Sequence, residues 1–88
     1  MPRYLIERTV PPMSKEELNA AGKRSNQVLA EMNGIVWIKS YISETEGKIF
    51  CEYDAPNEEA IREHARRAGL PCDRISEVAL EISPEMFV

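Results

Sequence analysis

One stretch, Cys51 to Ile75 (CEYDAPNEEAIREHARRAGLPCDRI), restricts the fold of this 88-residue chain more than any other. Asn57 is of the residue type that caps a helix start, and Glu58 and Glu59 follow it near the positive end of the helix dipole. Ile61, His64, Ala65 and Ala68 then fall on one helical stripe. Gly69 supplies a left-handed C′ residue, and Pro71 forbids continuation. A helix this firmly bounded separates a strand ending at Asp54 from one running over Asp73 to Ser83. In the latter, Val78, Leu80 and Ile82 alternate with Glu77 and Glu81.

The earlier chain repeats the theme. Arg3 to Val10 reads as a strand, stopped by Pro11-Pro12, with Glu7-Arg8 as its polar interruption, expected to form an internal ion pair. Ser14-Lys15-Glu16-Glu17 is a capping box that opens a helix carrying Leu18, Ala21, Gly22, Ser25, Val28, Leu29 and Met32 on one face. Gly34 is its expected stop. Ile35–Ser43 and Lys48–Asp54 form a hairpin if Glu44–Gly47 is the loop. Ser43 then pairs with Lys48. Val36, Ile38, Ser40 and Ile42 share one face with Ile49, Cys51 and Tyr53. The other face carries Trp37, Lys39, Tyr41, Phe50 and Glu52.

The order β-α-β-β-α-β with right-handed crossovers is an α+β, ferredoxin-like arrangement over a single domain, residues 1–88. It is a four-stranded antiparallel sheet with two helices on one face. The aromatic residues on its open face predict a homodimer in which two sheets meet as a dimeric α/β barrel. The apolar end, Met86-Phe87-Val88, is expected to dock on its own domain or on a partner.

Charge bears on partners. Fifteen acidic against 11 basic residues give a net charge of −4, which argues against nucleic acid and anionic membranes. No apolar run reaches the roughly 20 residues of a membrane span, and the N-terminus lacks a signal-peptide pattern. Two cysteines 21 positions apart make no disulfide framework, so a cytoplasmic protein with reduced thiols is expected.

The only histidine is His64. With Cys51 on a strand facing that helix, and Glu7 or Tyr53 as a further donor, it is a candidate transition-metal site. The alternative is a buried imidazole beside an inert thiol. On the open face, Trp37, Lys39, Tyr41, Phe50 and Glu52, with Glu77 as a possible addition, are candidates to line a small-molecule cavity or a dimer core. No catalytic motif is present: there is no phosphate-binding loop, metalloprotease helix or nucleophile elbow.

Trp37-x-x-Ser40-Tyr41, Cys51-x-Tyr53-x-Ala55-Pro56, Gly69-Leu70-Pro71-x-x-Arg74-Ile75 and the opening Arg3-Tyr4-Leu5-Ile6-Glu7-Arg8-Thr9 give the chain a family resemblance. It resembles the small bacterial nickel-binding, nickel-responsive proteins with a dimeric ferredoxin-like fold, most of which are called a domain of unknown function. The resemblance implies a homodimer and makes nickel the leading metal. Lys39 stands where histidine is frequent in that family, and a protonated lysine is no ligand. The expected functions are a non-enzymatic protein binding nickel or another transition metal, or a dimeric barrel that binds or transforms a small organic molecule at its sheet face.

Overall fold

A computed structural model describes residues 1–88. The elements are β1 (Arg3–Thr9), α1 (Lys15–Glu31), β2 (Val36–Ser43), β3 (Lys48–Asp54), α2 (Glu58–Ala68) and β4 (Arg74–Val78), followed by a short 3-10 turn at Pro84–Phe87. The sheet order is β2-β3-β1-β4 with every pair antiparallel, so the fold is ferredoxin-like.

Local chemistry accounts for both helices. At α1, the Glu17 N–H donates to Ser14 Oγ at 3.1 Å and the Ser14 N–H donates to Glu17 Oε1 at 2.9 Å, completing the capping box. The helix ends at Glu31, and Met32 caps it in an extended conformation. Gly34 takes its positive φ in the turn that follows rather than at the cap itself. At α2, Asn57 Oδ1 accepts from the Ala60 N–H at 2.9 Å. Gly69 closes the helix with φ 68°, which lets the Leu70 N–H reach the Ala65 carbonyl at 2.9 Å.

The core lies between the helices and one sheet face. Tyr4 and Ile6 of β1, Ile35, Cys51 and Tyr53 of β3, and Ala55 and Ile61 are buried together, with Leu29 and Met32 packed against them. β1 alternates cleanly, with Tyr4, Ile6 and Arg8 buried and Leu5 turned to the open face.

Two expectations about the sheet need correction. The hairpin register is as expected, Ser43 opposite Lys48, but a β-bulge between Trp37 and Lys39 shifts the far end of β2 by one residue. Trp37 pairs with Tyr53 and so lies on the helix side, whereas Val36, opposite Asp54, lies on the open face. The last strand is also shorter than expected, ending at Val78. Val78 pairs with Arg3, the first residue of β1, so residues 79–83 run past the end of their neighbour. Leu80 and Ile82 are exposed as a result, and Met86, Phe87 and Val88 are also largely exposed.

Two glycines are expected to respond oppositely to alanine. Gly69→Ala forces a side chain into left-handed backbone and should lower stability by roughly 1–2 kcal/mol. Gly22 sits inside α1, and a Cβ there would meet nothing within 4 Å. Gly22→Ala should therefore raise stability by roughly 0.5–1 kcal/mol. Urea unfolding checks both, and a loss of stability in Gly22→Ala would contradict the open space assigned to that position.

Candidate functional site

The chemistry-bearing side chains gather on the helix side of the sheet, around Arg8. Its guanidinium is only 1% exposed and stays charged. Nη1 donates to the Pro71 carbonyl at 2.6 Å and Nη2 to the Tyr53 hydroxyl at 3.3 Å, while Nε has no protein partner. Neighbours in a strand point to opposite faces, so the expected Glu7–Arg8 ion pair cannot form. Glu7 instead accepts from Lys48 Nζ at 2.7 Å on the open face. The field of Arg8 also reaches Asp73, whose carboxylate is held below its ordinary value chiefly by hydrogen bonds from Thr9. Arg8 thus forms no salt bridge with any carboxylate.

His64 is fully buried on α2. Its Nε2 lies 3.1 Å from Ser25 Oγ of α1, and Nδ1 has no protein partner. The ring tilts against Tyr53 at a centroid distance of 5.5 Å. Burial lowers the proton affinity of the imidazole below its ordinary value, and the Arg8 cation lowers it further. Burial likewise pushes the Tyr53 phenol up, with Arg8 opposing.

The bulge in β2 builds the other wall. It turns Trp37 inward, where Nε1 donates to Ser40 Oγ at 2.9 Å, and the Ser40 hydroxyl donates to Cys51 Sγ at 2.8 Å. Arg8, Ser25, Trp37, Ser40, Cys51 and Tyr53 together line a cavity of about 280 Å³ between α1 and the sheet.

The three expected metal donors do not come together. His64 and Cys51 share the helix side with the Arg8 cation, and Glu7 lies across the sheet, bonded to Lys48. No group of three or more His, Cys, Asp or Glu side chains is placed to hold a metal ion. These residues do not fit a nickel ion.

On the open face the structure brings Lys39, Tyr41, Phe50 and Glu52 together without Trp37. Lys39 Nζ lies 5.6 Å from the Tyr41 ring centroid, and the Tyr41 hydroxyl donates to Glu52 at 3.5 Å. Glu77 pairs with Tyr4 and so belongs to the helix side, not to this face. Arg3 holds Asp54 at 3.1 Å and Glu81 at 3.3 Å at one end of it. Arg8 as a buried polar centre was missed by sequence reasoning. The available signal was a charged residue in phase with Tyr4 and Ile6 on a strand whose other even positions are core.

A pH dependence follows from His64. The unfolded chain takes up a proton near the ordinary value of 6.5, whereas the folded ring resists it. The stability due to the neutral ring is therefore complete above pH 6.5 and is lost as the pH falls through the lower folded value. NMR should show the ring neutral at pH 6.5, and His64→Gln should flatten the acid limb of the stability profile. A ring that titrates above 6.5 would contradict this placement.

The model of the nickel responsive protein SCO4226-like family matches residues 4–78. The crystal structure of SCO4226 from Streptomyces coelicolor A3(2) is similar at a TM-score of 0.79 and 21% identity, covering 91% of this chain and 99% of that one. A structural-genomics protein, YJCS, aligns at a TM-score of 0.46 and 18% identity over 90% of this chain and 99% of its own. No curated protein matches the chain. With a family model spanning three strands, both helices and the hairpin between them, and β4 as well, the chain belongs to the SCO4226-like family of nickel responsive proteins.

Proposed function

We propose that this family member works as a homodimeric binding protein, two copies apposing their open sheet faces to close an α/β barrel. The observation that carries the reading is the uncovered face itself. Leu5, Val36 and Tyr41 are about half exposed, and Leu5, Tyr41, Phe50, Val78 and Leu80 line a concavity of about 600 Å³. Leu80 and Glu81 border it, Glu81 held by Arg3, while Ile82, Met86, Phe87 and Val88 beyond them stay largely exposed. Lone exposed apolar residues are ordinary, but a contiguous apolar face with a charged rim is the anatomy of an interface. Arg3, Lys39, Glu7 and Glu52 supply both signs of charge around it, as a self-complementary two-fold contact requires. Space remaining between the sheets would admit a small organic molecule.

The family's name makes nickel the metal to test. The buried Arg8 cation, the split between His64 and Glu7, and Lys39 on the open face all work against a nickel site built from the expected donors. On this reading His64 is a structural imidazole bridging α2 to α1 through Ser25. No helix is long and apolar enough to cross a membrane, and both cysteines are free, in keeping with the cytoplasm as its place of work.

Light scattering should give the wild type about twice the 10.0 kDa chain mass, and Tyr41→Glu or Val78→Asp should return it to a single chain. A monomeric wild type would retire the barrel. In calorimetric titration with nickel at neutral pH, wild type and His64→Gln should behave alike. A saturable isotherm that disappears in His64→Gln would put the metal back at that ring.

A further inference from the structure

We propose that the cavity between α1 and the sheet is a binding site for a small organic carboxylate, its anionic end held by Arg8 and its apolar part lying along Leu18 and Ile42. The site is separate from the open sheet face and does not depend on the dimer.

Three observations converge on it. The first is charge. A buried guanidinium is costly unless it is paired with an anion and its hydrogen-bonding capacity is met. Arg8 has two neutral acceptors, one unpartnered Nε, and no carboxylate of its own. Around it stand the imidazole of His64, the Cys51 thiol and the Tyr53 phenol, with the Asp73 carboxylate engaged by Thr9. None of these is a salt-bridge partner.

The second is the distribution of polarity. Arg8, Cys51 and Tyr53 lie beneath the floor of the cavity, each at most 4% exposed, with the hydroxyls of Ser25 and Ser40 beside them, so an anion reaches the guanidinium by parting the side chains over it. The rim is apolar, with Leu18 and Ile42 exposed on either side. A charged donor at the bottom and hydrocarbon at the mouth match an amphiphilic anion better than inorganic phosphate. At about 280 Å³, just under the roughly 300–1,000 Å³ of drug-sized sites, the cavity suits a small ligand.

The third is Gly22. Glycine inside a helix is unfavourable relative to alanine, and here no close packing requires it, because a Cβ would meet nothing within 4 Å. Gly22 lines the cavity, and the missing side chain keeps the cavity open.

Trp37, the only tryptophan, lines the cavity and reports occupancy through its fluorescence. Titration of the full chain with hexanoate should give saturable quenching. Hexanamide, of the same shape without charge, should bind about tenfold more weakly or worse, because charge-assisted hydrogen bonds are roughly twice as strong as neutral ones. Acetate and inorganic phosphate, lacking the apolar part, should also bind more weakly than hexanoate. Arg8→Gln should abolish the preference for acid over amide. Because a buried arginine can be needed for folding, Gly22→Leu provides the second variant: it fills the cavity from a helical position that favours leucine over glycine, and it should remove hexanoate binding with the fold intact. The proposal is overturned if hexanoate does not saturate, if amide or phosphate binds as tightly, or if a folded Gly22→Leu protein binds hexanoate as the wild type does.

Discussion

A guanidinium sealed between a helix layer and a sheet sets the terms for everything around it. Position 8 is in phase with Tyr4 and Ile6, so strand geometry drives Arg8 to the helix side whether or not an acid awaits it there. The desolvation penalty for such a charge is still several kcal/mol after relaxation. The Pro71 carbonyl and the Tyr53 hydroxyl, supplied by the turn after α2 and by β3, offset part of it. The same cation helps keep His64 neutral, which lets the imidazole bridge α2 to α1 through Ser25 instead of carrying charge into the core. It would also repel a divalent metal placed beside Cys51 and His64.

The bulge at Ile38 is the second determinant. One extra residue in β2 rotates Trp37 from the open face to the helix side, completes the chain of donors from Trp37 through Ser40 to Cys51, and leaves Val36 outside. The two faces of the sheet thereby acquire different characters. One holds a polar-floored cavity beneath α1, and the other is a shallow apolar surface rimmed by ion pairs.

Features coded by adjacent residues were legible in the sequence. Ser14 with Glu17, Asn57 with the acidic first turn, Gly69 with Pro71, and the four-residue hairpin loop each carry their structural instruction locally, and together they specify the ferredoxin-like order. Features decided by a neighbour were not legible. Nothing in Val36-Trp37-Ile38-Lys39 marks a bulge: there is no glycine or proline, and the slip depends on how β2 meets β3. The end of β4 is set by where β1 begins, not by the apolar alternation that continues through Leu80 and Ile82. Placing Glu7 with Arg8, or with His64, failed for one reason, the two-residue period of a strand. The family was legible because its motifs join strand residues, Arg3–Thr9 and Trp37-x-x-Ser40-Tyr41, to the turns that bound α2, Ala55-Pro56 and Gly69-Leu70-Pro71.

The central claim is that the distinctive chemistry of this chain lies in an anion-seeking cavity around Arg8 and not in a metal centre around His64. Diffraction from crystals grown with nickel and hexanoate together, with data collected at the nickel absorption edge, tests it most directly. The account predicts carboxylate density within hydrogen-bonding distance of the Arg8 guanidinium and no anomalous peak at His64. An anomalous peak bonded to His64 Nδ1, with no anion at Arg8, would contradict it.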